Sequence, residues 1–342
     1  MMVQLTRGDK LRGWFVLTLI AVVIGVSCLA LVLGRYPIAP TTVIEVLRNE
    51  IFHNAVSDPT NRSIVMTTRL PRIVLALFVG CGLAVAGSAF QSLFSNPLAT
   101  PDTLGVAAGT CVGAVIGLML DWNIIGVQLL ALICGLITVY VAMIIAKTQG
   151  QTSIVMLILA GVVMSAVANA IISILKLVAD PTSKLPEITY WLMGSLAGVQ
   201  FSAIALGIPG VVIGLIVIYL LRWRLNILSL SEDEIRATGV NVKILRPLII
   251  GAATLITASV VSMCGQVGWI GLLVPHCARM LVGNNSKVVI PTSMLLGSCF
   301  MVIIDTLART VSASEIPISV LTALVGAPFF ISLLRSSGGR WR

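Results

Sequence analysis

The two histidines and seven cysteines are the first candidates in this sequence for binding a metal ion or acting as nucleophiles. His53 and His276 lie far apart, and neither neighbours a Cys, Asp or Glu at the spacing of a metal site. The cysteines lie in apolar runs and never form Cys-x-x-Cys, which favours small buried side chains over a metal cluster or disulfides. We therefore expect no metal site and no cofactor on this chain.

Nucleotide chemistry finds equally little support. The sequence has no Gly-x-x-x-x-Gly-Lys-Ser/Thr loop, so we expect the chain not to bind ATP by itself. Gly80, Gly82 and Gly87 match a dinucleotide fingerprint in composition only, because the third glycine is misplaced and no βαβ unit surrounds them. An intramembrane enzyme would need paired polar catalytic residues in the apolar runs, which lack them. The sequence thus predicts a chain that is not an enzyme.

A polar segment, residues 225–246, contains the pattern of a short helix. Ser231 and Glu234 have the spacing of a capping box, acidic residues fill the first turn, and Gly239 suits the position after a helix C-terminus. Two turns of helix are marginal alone in water because helix nucleation is costly. We therefore expect this helix to dock, either into a partner protein or against its own chain.

Basic residues cluster in the loop between the first two apolar runs, where five arginines suggest an acidic external partner. They are Arg35, Arg48, Arg62, Arg69 and Arg72. Snorkelling of these side chains at a membrane interface is the alternative explanation. Farther along, Asp305 and Arg309 stand four residues apart, within reach of an ion pair on one helix.

The elements that position these residues are membrane helices. Of the 342 residues, 58% are hydrophobic and 10% are charged, whereas about 25% of a soluble domain is charged. This excludes a soluble globular protein, and long uncharged runs exclude the alternating strands of a membrane β-barrel. About ten runs approach the ~20 residues that a membrane helix needs. They are residues 14–33, 73–94, 103–120, 124–146, 154–175, 201–221, 247–266, 268–282, 288–304 and 316–334.

Residues 1–342 form a single membrane domain in this interpretation, since no polar stretch is long enough for a soluble domain. Two uncharged stretches exceed the length of one span. We divide 189–221 into a short interfacial helix at 189–200 and a span, and we divide 247–275 near Gly265–Gly268. Glycines at intervals of four predict a helix face that packs closely on a neighbour: Gly105, Gly109, Gly113 and Gly117.

The distribution of lysine and arginine predicts the orientation. With the N-terminus inside, most of the 22 Lys and Arg residues fall in the inside segments, as the positive-inside rule requires. An even number of spans returns the C-terminus to the same side, so both termini are predicted to be cytoplasmic. The run 14–33 is too long for the hydrophobic region of a signal peptide, and we interpret it as a retained first helix.

Short motifs recur along the chain in the order found in one transporter family. They are Arg69-Leu-Pro-Arg72, Gly82 to Gln91 leading into Asn96-Pro97-Leu-Ala and Leu104-Gly105, Trp191 to Leu196, residues 228–240, Gly268 to His276 with Arg279, Asp305 to Arg309, and Pro317 with Leu324 to Phe329. The match covers nearly the whole chain after residue 60. The sequence thereby resembles the permease subunits of iron-chelate, haem and cobalamin ABC importers.

The resemblance implies an all-α polytopic membrane protein of about ten transmembrane helices, with the cobalamin-importer-like (type II) ABC permease fold. It implies a homodimer, or a dimer with a close paralogue, in the cytoplasmic (inner) membrane of a bacterium or archaeon. Two cytosolic ATPase subunits would bind ATP and Mg²⁺, and an external substrate-binding protein would deliver the cargo. Besides these proteins and the lipid bilayer, no nucleic acid is expected as a partner.

The same resemblance implies roles for particular residues. Arg69, Arg72 and Arg309 match arginines that receive acidic residues of the binding protein. The region pressed into the ATPase matches Leu230, Ser231, Glu232, Glu234, Ile235, Arg236, Ala237, Gly239 and Val240. The gate and pathway positions are Thr152, Ser153, Gln266 and Trp269. The residues of the structural motifs are Asn96, Pro97, Gly105, Pro275 and His276.

The implied cargo is an iron-siderophore or a related metal chelate such as haem or cobalamin. Gln266 stands where many relatives have Pro, and Trp269 stands where Phe is frequent. With Trp at this position the sequence resembles family members that carry small oxyanions. A molybdate or tungstate importer is therefore the alternative. An ion-coupled secondary transporter is the competing class, but it usually requires intramembrane carboxylates. Apart from Asp305 near a span end, none lies in the predicted spans.

Overall fold

The computed structural model describes residues 5–7, 10–53, 58–148, 151–230, 232–312 and 314–336. Over these residues the chain is helical, apart from the hairpins β1 (Thr6–Arg7) with β2 (Lys10–Leu11) and β3 (Lys147–Thr148) with β4 (Gln151–Thr152). The helices are α1 Gly13–Val32, α2 Pro40–Ile51, α3 Pro59–Ser63, α4 Leu70–Leu93, α5 Val106–Met119, α6 Ile124–Ile145, α7 Ile154–Val178, α8 Lys184–Leu192, α9 Phe201–Leu221, α10 Leu225–Leu228, α11 Glu232–Ala237, α12 Val242–Cys264, α13 Ile270–Val282, α14 Ser286–Val311 and α15 Ile318–Ser336. A π-helical segment (Ile64–Arg69) precedes α4 and a 3₁₀ turn (Pro101–Leu104) precedes α5. The all-helical prediction is confirmed.

Each of the ten predicted spans falls on one helix, namely α1, α4, α5, α6, α7, α9, α12, α13, α14 and α15. In the described part of the chain, seven helices are long and apolar enough to cross a membrane, and three more are shorter apolar helices. The helices α2 and α3 follow the first span and α8 follows the fifth; we call their end of the bundle the outer end, after the predicted topology. The helix α11 follows the sixth span, and we call its end the inner end.

Two of the spans are completed by irregular backbone. The helices α5 and α13 have 14 and 13 residues, about 21 and 20 Å at 1.5 Å per residue, against a hydrocarbon core of ~30 Å. Irregular backbone at membrane depth is tolerated only where protein covers it. Leu104 before α5 and Ile270 at the start of α13 are fully buried, so neighbouring helices supply this cover.

The helix α4 is the centre of the bundle, because 83% of the residues in the most apolar stretch of this span are buried. Glycines let its neighbours approach closely: a Cβ atom at Gly80 would overlap the carbonyl oxygen of Gly297 in α14, and one at Gly87 would overlap the carbonyl oxygen of Gly271 in α13. Gly80 and Gly87, which match a dinucleotide fingerprint in composition, are therefore packing positions of α4.

The substitution Gly80→Ala is expected to destabilise the bundle by about 1–3 kcal/mol, because the added methyl group meets backbone that cannot move aside alone. Gly251→Ala in α12 is the matched control, since nothing lies within 4 Å of its Cβ position. It should be neutral or stabilising by up to about 1 kcal/mol. Thermal unfolding of the two purified variants in detergent measures the difference, and equal melting temperatures would contradict the packing argument.

The predicted glycine face of α5 packs on α6. Cβ atoms at Gly109 and Gly113 would overlap Thr138 and the backbone of Leu130, respectively. Gly105 has a different task, because its φ of 75° lies in the left-handed region and allows the 3₁₀ turn to pass directly into α5.

One predicted element is misplaced. The short helix expected at residues 189–200 is instead α8, Lys184–Leu192. In the turn before this helix, Asp180 Oδ1 accepts hydrogen bonds from the hydroxyl groups and backbone N–H groups of Thr182 and Ser183, which also lowers the pKa of Asp180 to about 2. The helix ends early because Gly194, with a φ of 74°, turns the chain.

Candidate functional site

The inner-end segment between α9 and α12 is anchored by buried leucine and isoleucine side chains. Leu225, Leu228 and Ile235 are each at most 2% exposed, and Val240 packs against the main core. Leu230 is 44% exposed, although it is a large apolar side chain. The segment therefore holds firmly to the bundle through one face and presents a second, partly apolar face.

The helix α11 matches the predicted short helix of this segment. Glu234, Ala237 and Gly239 are exposed on it or directly after it. Gly239 has a φ of 71°, which confirms the predicted left-handed position after the helix C-terminus. Ser231 lies outside the described residues, and the side chains of Glu232 and Arg236 are not among those described, so the capping box stays a prediction.

Asparagine side chains tie this segment to the start of α14. Asn226 Nδ2 donates a hydrogen bond to Asn285 Oδ1 at 2.8 Å, and Asn226 Oδ1 accepts one from the Ser286 backbone N–H at 2.7 Å. Asn285 Oδ1 also accepts from the Lys287 N–H at 3.0 Å, so it caps the helix. Two of the N–H groups at the first turn of α14 thus depend on side chains, one of which belongs to the inner-end segment.

The outer end contains a buried ionic cluster of Arg72, Asp305, Arg309 and Glu315. Arg72 bonds Asp305 Oδ1 through Nε at 2.7 Å and Glu315 Oε1 through Nη1 at 2.9 Å. Arg309 Nε lies 3.7 Å from Asp305 Oδ2, which confirms the predicted ion pair on one helix. The carboxylate of Asp305 is 1% exposed and faces both guanidinium groups. The formal charges of the four residues balance.

Two arginines also bind the C-terminal carbonyl groups of α1. Arg69 donates to the carbonyl oxygens of Leu31 and Val32, the latter at 2.9 Å, and Arg309 donates to that of Ala30. Positive side chains at a helix C-terminus satisfy free carbonyl groups and complement the helix dipole. These bonds attach α1 to the bundle, although α1 is otherwise peripheral and only 11% of the residues in its most apolar stretch are buried.

The structure brings the three predicted docking residues Arg69, Arg72 and Arg309 together, but places them inside the protein. Each is at most 7% exposed and engaged with its own chain. Their docking role stays a prediction, and it would require these internal contacts to rearrange. Sequence reasoning missed the pair of Arg72 with Asp305, because 233 positions separate the two residues.

The predicted gate lies at the hairpin of β3 and β4, between α6 and α7. Lys147 pairs with Thr152 in this hairpin, and Ser153, which is exposed, directly precedes α7. The side chain of Thr152 is not among those described. The constriction assigned to Thr152 and Ser153 therefore stays a prediction.

Gln266 and Trp269 lie in the irregular link between α12 and α13. A Cβ atom on Gly194 would overlap the Gln266 carbonyl, so this link packs against the turn after α8. Trp269 has a φ of 67°, rare for a residue with a side chain, and its ring lies over Gly326 and edge-on to Phe330 of α15. Trp269 thus joins α13 to α15, and its pathway role stays a prediction.

Gln91 repairs a helix that Pro275 interrupts. Pro275 has no N–H group to donate to the carbonyl of Gly271 in α13. The Gln91 amide instead donates to the carbonyls of Gly271 and Leu272, at 3.3 and 3.4 Å, and its oxygen accepts from Arg279 at 2.7 Å. These contacts give the motif residues Gln91, Pro275 and Arg279 one shared structural purpose.

The remaining motif residues shape the turn between α4 and α5. Asn96 accepts a hydrogen bond from the Leu98 N–H at 2.9 Å, and Pro97 follows it in this turn. His276, next to Pro275, is partly exposed and engaged in an interaction with its surroundings. Among the described residues, no group of three His, Cys, Asp or Glu side chains could hold a metal ion.

Comparisons with known proteins agree in kind. The model of the FecCD transport family matches residues 19–336. The chain is 36% identical over 316 residues to the molybdate import system permease protein MolB of Haemophilus influenzae, covering 92% of this chain and 93% of that one. It is 39% identical over 277 residues to the cobalamin import system permease protein BtuC of Halobacterium salinarum, covering 81% and 74%. A solved inward-facing transporter of the metal-chelate ABC type superposes with a TM-score of 0.85 at 33% identity, covering 95% of this chain and 100% of that one.

Proposed function

The chain belongs to the FecCD transport family and is a permease subunit of an ABC importer, and from this premise we propose the assembly in which it works. A second permease chain, identical or paralogous, completes the pathway. Two ATPase subunits that bind ATP and Mg²⁺ dock at the inner end, and a substrate-binding protein docks at the outer end. The assembly lies in the cytoplasmic membrane with both termini of this chain in the cytoplasm.

The observation that carries this proposal is the exposed face of the segment at α11. Its anchoring residue Ile235 is buried, while Leu230, Glu234 and Ala237 are exposed around it. A two-turn helix presented in this way suits insertion into a cleft of an ATPase. ATP binding would close the ATPase dimer, carry α11 with it and shift the population of outward-open and inward-open states.

We propose a metal chelate, such as an iron-siderophore, haem or cobalamin, as the cargo. Relatives named as an iron chelatin permease of Helicobacter pylori and a hemin permease of Yersinia pestis support this class. The molybdate permease relative and Trp269 favour an oxyanion such as molybdate or tungstate as the second candidate.

Uptake into proteoliposomes that contain the permease, its ATPase and its binding protein separates the candidates. Radiolabelled ferric hydroxamate, haem, cobalamin and molybdate are supplied in turn, with and without ATP. ATP-dependent uptake of a chelate supports the proposed cargo, and uptake of molybdate alone supports the second candidate. Uptake driven by a proton gradient without ATP hydrolysis would overturn the ABC mechanism itself.

Docking of the binding protein gives a prediction at Glu315. If acidic residues of the binding protein pair with Arg72 and Arg309, Glu315 competes with those residues. Glu315 Oε1 lies 2.9 Å from Arg72 Nη1, and the Glu315 side chain is 29% exposed. Glu315→Gln is expected to tighten docking by about threefold to tenfold at low salt, and the gain should shrink at high salt. Surface plasmon resonance with permease in nanodiscs measures the affinity.

Glu50→Gln is the matched control for this prediction. Glu50 is also an outer-end carboxylate paired with an arginine, but it lies on α2 and its partner, Arg62, is not a member of the cluster. An equal gain in affinity from both substitutions would indicate a general charge effect and contradict the docking role of the cluster. Unchanged affinity for Glu315→Gln would contradict it as well.

A further inference from the structure

The outer helix α2 has apolar residues on two opposite faces. One face packs on the bundle: Val43 and Val46 are at most 4% exposed and share a small core with Val65. On the opposite face Ile44 and Ile51 are 66% and 72% exposed, and they are seven residues apart, on one side of the helix.

The orientation of α2 is fixed, so the exposed face is not free to turn inward. Glu50 accepts two hydrogen bonds from Arg62, at 2.8 and 2.9 Å, which joins α2 to α3. The same Arg62 guanidinium lowers the pKa of the Glu50 carboxyl group. Val43 and Val46 hold the inner face at the same time. The packing of Val43 and Val46 and the ion pair of Glu50 with Arg62 therefore direct Ile44 and Ile51 away from the bundle.

The exposed face continues the surface of α1, which is the most peripheral of the long helices described. Leu33 and Tyr36, between α1 and α2, are each 50% exposed, and Phe52 at the end of α2 is 69% exposed. The Tyr36 carbonyl accepts a hydrogen bond from Arg69, so this connection is attached to the bundle beside the end of α1. The helix α1 exposes apolar side chains along its length, from Leu17 at 67% to Leu29 at 59%. If these side chains face lipid, the surface that continues past Leu33 lies at the outer membrane surface.

One positive charge accompanies these apolar residues. Arg48 is exposed and lies one turn from both Ile44 and Ile51 on the same face. An apolar face with a long basic side chain at its edge is typical of a helix in the lipid headgroup region, where the guanidinium group reaches phosphate. A protein partner for this face would instead need an acidic group set in an apolar surface.

We propose that α2 is an interfacial anchor that binds the outer leaflet of the bilayer. Ile44, Ile51 and Phe52 contact acyl chains, and Arg48 binds lipid phosphate. The inference does not depend on the cargo or on coupling to an ATPase, so it can fail or hold independently of the proposed function.

Site-specific photo-crosslinking of the full-length chain tests the anchor. Benzoylphenylalanine is introduced at Ile44, Ile51 or Phe52, where Phe52 is the most conservative exchange, and at Thr60 of α3 as an exposed polar control. The protein is placed in nanodiscs of phosphatidylethanolamine and phosphatidylglycerol, with and without the binding protein, and irradiated. Mass spectrometry distinguishes a phospholipid adduct from a crosslink to the binding protein or to a second permease chain.

Phospholipid adducts at positions 44, 51 and 52 should exceed those at position 60 by at least about threefold. Adding Arg48→Glu to the label at Ile51 should lower the share of phosphatidylglycerol among the adducts, which separately tests the attraction of Arg48 for an anionic headgroup. Protein crosslinks at 44 and 51, or lipid adducts as frequent at 60 as at 44, would overturn the proposal. An unaltered lipid share with Arg48→Glu would overturn the role of Arg48.

Discussion

Asp305→Ala is expected to lower the free energy of unfolding by about 3–5 kcal/mol, the largest loss of stability predicted for any single side chain in this bundle. Asp305 is 1% exposed and is the carboxylate that Arg72 and Arg309 share, at 2.7 and 3.7 Å. Its removal leaves two buried guanidinium groups with Glu315 as their remaining acidic neighbour. Loss of a buried partner costs more than the intact pair contributes, because the remaining charge stays desolvated.

Thermal unfolding in detergent, followed by tryptophan fluorescence, measures this loss. Glu187→Ala is the matched control, because Glu187 is an exposed helical carboxylate in a surface ion pair with Lys184 and should contribute at most about 1 kcal/mol. The double variant Arg72→Met with Asp305→Leu removes one charge of each sign and should recover part of the stability. Equal melting temperatures of Asp305→Ala and Glu187→Ala would show that the cluster is not a stabilising unit.

Gly239→Pro is expected to abolish coupled transport while the membrane domain remains as stable as the wild type. The φ of Gly239 is 71°, whereas proline requires about −65°, so the native turn after α11 would cost about 3 kcal/mol. That cost corresponds to roughly a hundredfold loss of the native turn. Stability is spared because nothing lies within 4 Å of the Gly239 Cβ position and the residue is exposed.

The measurement is ATPase activity and cargo uptake of the complete importer in proteoliposomes, beside the melting temperature of the permease. Gly239→Asn is the conservative control, because asparagine tolerates the left-handed conformation, and it should retain most of the activity. Glu234→Lys reverses a charge in the first turn of α11, where the helix dipole favours acidic residues, and it should uncouple the two activities as well. Normal uptake by Gly239→Pro would contradict the coupling role of this segment.

The spans could be predicted from the sequence because lipid imposes a strong and local requirement. Any backbone in hydrocarbon needs internal hydrogen bonds, so runs of apolar residues become helices almost wherever they occur. The prediction of a helix at 189–200 was wrong, because residues outside the uncharged run set where α8 begins and a glycine turn sets where it ends. The uncharged run begins only after Glu187, whereas α8 already begins at Lys184 in the polar stretch before it, and Gly194 ends the helix.

The candidate site could be predicted only where its residues are close in sequence. The left-handed turn at Gly239 and the ion pair of Asp305 with Arg309 follow from local spacing. The bonds of Arg72 with Asp305 and of Gln91 with the carbonyls beside Pro275 join distant helices, and no periodicity reports them. Burial of the three arginines could not be predicted either. The sequence around an arginine does not show whether its side chain binds carbonyl groups of its own chain or is exposed to a partner protein.

The helix α14 is hydrogen-bonded at its first turn to Asn226 of the inner-end segment, and 19 residues after Ser286 it carries Asp305 of the ionic cluster. Those 19 residues span about 29 Å of continuous helix. The helix runs without interruption past Pro291. The inner-end segment and the buried ionic cluster are therefore attached to one and the same helix, and a shift of α14 along its axis would displace both attachment points together.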